Sequence, residues 1–247
     1  MSREDNGKFS AKRKRSSSPA PASSSTSHNH NNDRSLTHSG KSSDQPIYTT
    51  RAQIGKPAPD FTDVPALVNG VFKEISLKSY LGRYLIIVFY PQDFTYVCPT
   101  EIIAFSDRLA EFRDIDTDVI AVSVDSKYSH LAWYNTPQEK GGVGNVKIPL
   151  LSDATRQISK DYGVYDEDLG FAIRGLFIVD PKGILKHAVM NDVGVGRSVD
   201  ETKRVLTALQ YVSEYGDVCP VNWQEGMATI NPDPDGAKEY FKLHAKH

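Results

Sequence analysis

Three short, unbroken apolar runs limit what this chain can become: YLIIVFY (Tyr84–Tyr90), DVIAVSV (Asp118–Val124) and GLFIVD (Gly175–Asp180). Each is rich in β-branched and aromatic side chains and short enough to be a strand covered on both sides. Helical patterns separate them. Ile102, Phe105, Leu109 and Phe112 recur at three- and four-residue spacing, and Val199 to about Glu214 sets Val205, Leu206, Leu209 and Val212 on one inner face. After the third run, DPKG supplies Pro and Gly for a turn into ILKHAVM, which predicts a hairpin. Strand, helix, strand, helix, hairpin and final helix predict an α/β fold with a mixed central sheet flanked by helices.

Composition sets the domain boundaries. Residues 1–46 are dominated by Ser, Asn, His and Pro, with almost no large apolar side chains, and are expected to be disordered because they cannot offset their ordering entropy. Residues 47–211 read as the folded domain and 212–247 as a C-terminal arm. Within the tail, His28, His30 and His38 lack cysteine partners and make a weak metal signal. Lys12-Arg13-Lys14-Arg15 fits either a nuclear-localisation signal or a solvated charge run. A formal net charge of -2 gives no reason to expect a nucleic-acid or anionic-membrane partner. No apolar run approaches the roughly 18 residues of a membrane span, and the N-terminus lacks the apolar stretch of a secretory signal. A reducing, cytoplasmic setting is therefore expected, with nuclear entry open through Lys12–Arg15.

The chain has two cysteines and no C-x-x-C pair. One of them, Cys98, follows the first strand and directly precedes Pro99 in TYVCPTEI. Pro is favoured at the first helical position, where its missing N–H has no helical partner. On that reading Cys98 is the N-cap and Glu101 the third helical residue. The thiol then lies at the positive end of a helix, among free backbone N–H groups, which favours its nucleophilic thiolate form. The plainer alternative is a small buried hydrophobe, which most lone cysteines are. Thr95, three residues earlier, offers a hydroxyl that accepts and donates at once, or simply an N-cap.

Pro91, Thr95 and Cys98 together form P-x-x-x-T-x-x-C, which closely resembles the active-site signature of peroxiredoxins. The resemblance runs over about 200 residues, from QIGKPAPDFT through AIRGLFIVDPKG and VGRSVDETKRVL to VCPVNW and KEYF. It is that of a typical two-cysteine peroxiredoxin, and it implies a thioredoxin-like fold, antiparallel homodimers and assembly to a decamer. Cys98 matches the peroxidatic cysteine, whose thiolate attacks hydrogen peroxide or an alkyl hydroperoxide and becomes sulfenic acid. Pro91 matches the residue that shields the pocket, and Thr95 the one that hydrogen-bonds the peroxide. Arg174 matches the arginine that stabilises thiolate and developing oxygen charge; on its own it reads as an edge-strand surface charge. Glu101 and Arg197 match the residues that orient that arginine.

Cys219 matches the resolving cysteine. Gly216, Pro220 and Gly226 around it suggest an extended, mobile arm, and a sulfenic acid is rapidly captured by a nearby thiol. The resemblance implies that this thiol comes from the other subunit and that thioredoxin reduces the product. No metal, flavin or haem cofactor is expected. Gly141-Gly142-Val143-Gly144 and Tyr240-Phe241 resemble the loop and tail that, in easily over-oxidised members, cover the active-site helix. Two other readings stay open: a disulfide reductase, disfavoured by the missing C-x-x-C pair, and a chaperone or signalling role on the same scaffold.

Overall fold

A hairpin opens the region described, residues 50–245 of a computed structural model. Strand β1 (Val64–Val68) turns through Asn69 and Gly70 into β2 (Val71–Ile75). Both turn residues have positive φ, 49° and 78°, the combination that matches a tight turn to the twist of its strands. The chain continues into β3 (Tyr84–Phe89), α1 (Val97–Asp107), α2 (Leu109–Arg113), β4 (Thr117–Ser123), α3 (Lys127–Asn135) and β5 (Leu150–Ser152). There follow α4 (Gln157–Asp161), the short pair β6 (Tyr165–Asp166) and β7 (Phe171–Ala172), then β8 (Arg174–Val179), β9 (Leu185–Asn191), α5 (Val199–Tyr215) and α6 (Gly236–His244).

Seven strands make one sheet in the order β2-β1-β5-β4-β3-β8-β9. Strands β3, β4 and β5 run parallel, and the remaining neighbours pair antiparallel, β8 with β9 as the expected hairpin. Alternation along β3 divides the core in two. Ile86 and Val88 pack with Ile102, Phe105, Phe112 and Leu206 under α1, α2 and α5. Leu85, Ile87 and Phe89 point to the opposite face and pack with Phe61, Ile158, Tyr162 and Phe177. The mixed sheet and its covering helices make a thioredoxin-like fold.

Two details depart from the sequence reading. The apolar stripe from Ile102 to Phe112 is shared by two helices, because the chain breaks at Arg108 (φ -97°, ψ 10°) before resuming at Leu109. Val212 is 38% exposed. At its level α5 no longer faces the sheet but lines a groove under the arm, with Leu209, Val218 and Pro220. Among the described residues no helix is long and apolar enough to cross a membrane. The expectations for the tail, including its disorder, His28, His30, His38 and Lys12–Arg15, fall outside the described residues.

Candidate active site

Helix α1 starts earlier than its sequence suggests. Tyr96 already has helical dihedrals, Val97 is the first helical residue, and the Thr100 hydroxyl donates to the Val97 carbonyl at 2.6 Å. Cys98 is therefore the second helical residue rather than the N-cap, Pro99 the third and Glu101 the fifth. Pro99 is tolerated there because first-turn N–H groups have no helical acceptor in any case. Cys98 still lies in the first turn, where the unpaired N–H groups converge. Its side chain is fully buried in the core.

Arg174 reaches that sulfur from the other side. It begins β8, an interior strand between β3 and β9, and is only 2% exposed. This is the reverse of the surface edge charge that its sequence position alone suggests. Its Nη1 donates to Cys98 Sγ at 3.4 Å and to Glu101 Oε2 at 2.6 Å, while Nε donates to the Val193 carbonyl at 2.8 Å. A buried guanidinium needs such partners, and here they fix where it points.

Glu101 is the hub that joins the two arginines. Its Oε1 accepts from Arg197 N at 2.8 Å and Nε at 2.7 Å, and its Oε2 accepts from Arg197 Nη2 at 3.0 Å. Arg197 Nη1 also donates to the Phe89 carbonyl at 2.8 Å and the Gly175 carbonyl at 2.5 Å. One arginine thus ties α1 to the ends of β3 and β8, which meet at the site. Burial pushes the Glu101 carboxyl up, but the hydrogen bonds and charge of Arg197, helped by the Arg174 charge, hold it below its usual range. The resemblance assigned Glu101 and Arg197 to orienting Arg174, and the structure brings all three together.

The loop between β3 and α1 carries Pro91 and Thr95. Pro91 is buried and Thr95 half-buried. The Thr95 hydroxyl donates to the Gln92 carbonyl at 2.9 Å, leaving its oxygen free to accept a hydrogen bond from a ligand. Phe94 in this loop has φ of 55°, a left-handed conformation that costs a bulky side chain about 1–2 kcal/mol.

A buried polar cluster, not anticipated from the sequence, holds the loop in place. Asp93 accepts from the Tyr90 hydroxyl at 2.9 Å and the Ser129 hydroxyl at 2.8 Å, and lies 2.9 Å from His130 Nδ1. The Asp93 N–H donates to Asp125 Oδ2 at 3.0 Å, which ties the loop to the end of β4. His130 Nε2 lies 3.2 Å from the Leu151 carbonyl. Burial, with the Asp93 charge, pushes the Tyr90 phenol well up and keeps it protonated as a donor.

Cys219 does not sit near Cys98 in the described contacts. Both thiols are free. Rather than the extended, mobile arm expected, the segment around Cys219 packs on α5. Its Sγ lies 3.8 Å from the Ala208 carbonyl, Val218 and Ile230 form a two-way bridge, and Trp223 is fully buried. Apolar anchoring by Trp223 outweighs the turn-forming residues on either side of it. Of the expected cover, Val143 is buried, and a side chain on Gly142 would meet the Thr136 carbonyl oxygen at 1.9 Å. Phe241 is 57% exposed and Tyr240 half-buried, with the Tyr240 ring 6.0 Å from that of Phe241 and 4.1 Å from that of His244.

Residues 54–188 match the AhpC/TSA family, and residues 208–243 match the C-terminal domain of 1-Cys peroxiredoxin. The chain is 57% identical to human peroxiredoxin-4 over 199 residues, covering 81% of this chain and 73% of the relative. It is 55% identical to bovine peroxiredoxin-2 over 194 residues, covering 78% and 97%. The reduced crystal structure of Plasmodium vivax 2-Cys peroxiredoxin superposes with a TM-score of 0.74 at 44% identity, covering 76% of this chain and 98% of that one. Enterococcus faecalis AhpC superposes with a TM-score of 0.64 at 39% identity, covering 68% and 99%. A buried thiol met by a positioned arginine and these matches lead to one assignment: the chain belongs to the AhpC/TSA family as a typical two-cysteine peroxiredoxin, an enzyme that reduces peroxides by thiol chemistry.

Proposed function

We propose that Cys98 is the peroxidatic cysteine and Cys219 the resolving one. The observation that carries this is the Arg174 Nη1 donor at 3.4 Å from Cys98 Sγ, locked by Glu101. A cation so placed stabilises negative charge on sulfur before reaction and on the departing oxygen during it. Thr95 accepts a hydrogen bond from the peroxide hydroxyl, Pro91 walls the pocket, and Glu101 with Arg197 keeps Arg174 aimed. The Cys98 thiolate attacks one peroxide oxygen. An S–O bond forms as the O–O bond breaks, and the second oxygen leaves as water or alcohol once protonated.

Cys219 of a second copy then attacks the sulfenic sulfur. An S–S bond forms, the S–O bond breaks and water leaves. Cys98 is buried in the core against Arg174 while Cys219 packs on α5, which favours an intersubunit over an intrachain bond. The free edge of β9, with Val189 37% and Met190 46% exposed, is suited to antiparallel pairing in a homodimer. Exposed Phe94, Tyr96 and Tyr128 offer a further apolar surface through which dimers join into a decamer. Thioredoxin then reduces the disulfide by exchange. The enzyme works in the cytoplasm, and Lys12–Arg15 directs a fraction to the nucleus.

Peroxide consumption coupled to thioredoxin, its reductase and NADPH tests the assignment. Wild type should turn over, Cys98→Ser should be inactive, and Cys219→Ser should lose thioredoxin-linked turnover while still consuming about one equivalent. Turnover by Cys98→Ser would refute it.

A further inference from the structure

The arm that carries Cys219 is tied to α5 at one point in particular. Arg204 on α5 is splinted by Glu201, with Nε to Oε2 and Nη2 to Oε1 both at 2.7 Å. That leaves Nη1, which donates to the Trp223 carbonyl at 3.0 Å. Trp223 is the arm's fully buried anchor, its ring 5.0 Å from that of Tyr211 and its Nε1 donating to the Met227 carbonyl at 3.1 Å. Cys219, four residues before Trp223, contacts the carbonyl of Ala208, one helical turn beyond Arg204. Arg204 and Cys219 line the same groove of about 550 Å³.

The charged groups around this thiol are few. From α5 comes Arg204, with Glu201 bound to it; from the arm, Asp217; from β9, His187, which faces the Glu201–Arg204 pair. Burial pushes the Cys219 thiol up, Arg204 opposes that shift, and Asp217 adds to it. Arg204 is thus the cation that shares the groove of the resolving thiol, without the direct contact that Arg174 makes with Cys98.

We infer that Arg204 is a positioning residue for disulfide formation: it holds the Trp223 carbonyl so that Cys219 lies on α5, and it presents its charge to that thiol. The inference rests on Cys219 being the resolving cysteine. The step it serves needs no further oxidant, because the sulfenic acid already carries the peroxide's oxidising equivalents. The Cys219 thiolate forms the S–S bond, and hydroxide leaves Cys98 as water after taking a proton.

The test is a pH series of single turnovers. Reduced enzyme is mixed with one equivalent of hydrogen peroxide, quenched at intervals, and scored for disulfide on non-reducing gels. Wild type, Arg204→Gln, Arg204→Lys and Cys219→Ser are compared. The rate should rise with pH as Cys219 ionises. In Arg204→Gln the midpoint should move to higher pH, with severalfold slower disulfide formation at neutral pH and unchanged consumption of the first peroxide by Cys98. Arg204→Lys keeps the charge and should hold the midpoint near that of wild type. A purely structural tie would change the rate by one factor at every pH, and that result, or Lys behaving like Gln, overturns the inference. Disulfide formation by Cys219→Ser would instead overturn the assignment of Cys219 itself, and the inference with it.

Discussion

Replacing Glu101 by Gln removes a charge at the centre of the site while keeping its shape. Glu101, Arg174 and Arg197 have side chains only 2%, 3% and 2% exposed, so water cannot take the place of the lost anion. Arg197 would keep its carbonyl partners Phe89 and Gly175, and Arg174 would keep Val193. Each carboxylate oxygen accepts from two donors, so whichever oxygen becomes the NH₂ group must face N–H groups of an arginine. Breaking a buried pair this way costs about 3–5 kcal/mol, a large part of the roughly 5–15 kcal/mol by which a domain is stable. Denaturant unfolding of the reduced protein at fixed concentration should show a lower midpoint at unchanged slope. Because Arg174 loses its aim, the rate of Cys98 oxidation should fall on the order of ten- to a hundredfold. A variant within about 1 kcal/mol of wild type, with an unchanged rate, would refute the idea that Glu101 organises the arginines.

The same carboxylate governs acid stability. Its folded-state ionisation is lowered, so its contribution is complete above the usual carboxylate range and is lost as pH falls through the lower folded value; Glu101→Gln should lack that acid limb. Gly142→Ala would press a side chain to 1.9 Å from the Thr136 carbonyl oxygen, so the melting temperature should drop by several degrees for an overpacking cost of about 1–3 kcal/mol; an unchanged value would mean that the loop yields freely. Removing residues from Tyr240 onward should make turnover more resistant to excess peroxide, read as less Cys98 with two added oxygens by mass. Equal inactivation of the truncated enzyme would rule out a covering role for the tail.

Much of the centre of the fold was legible because buried strands announce themselves. YLIIVFY, DVIAVSV and GLFIVD became β3, β4 and β8 within a residue at each end. The β1–β2 hairpin was missed although Asn69-Gly70 is a strong local turn signal. Strands β5, β6 and β7 have three, two and two residues, too few for any periodicity to register. At the site, residue identities came from a resemblance, while their geometry could not. Nothing local distinguishes Arg174 from a surface charge; its burial comes from β9 flanking β8 and α1 lying against it, and its fixed direction from Glu101 together with the Val193 carbonyl. Asp93 and His130 lie 37 residues apart and meet only because β3 and β4 are parallel neighbours. The packing of Cys219 on α5 was likewise hidden, since it depends on a buried Trp223 rather than on the glycines that suggested mobility.

One sulfur of each subunit reacts with peroxide, and the other captures the oxidised sulfur across the interface. Subunits grown in light and in heavy nitrogen can be mixed under reducing conditions until they exchange. They are then oxidised with a slight excess of hydrogen peroxide, digested without reductant and analysed by mass. Linked Cys98–Cys219 peptides should then appear in which one half is light and the other heavy, in proportion to the mixing. Linked peptides that are only all-light or all-heavy, from subunits shown to have exchanged, would contradict capture across the interface.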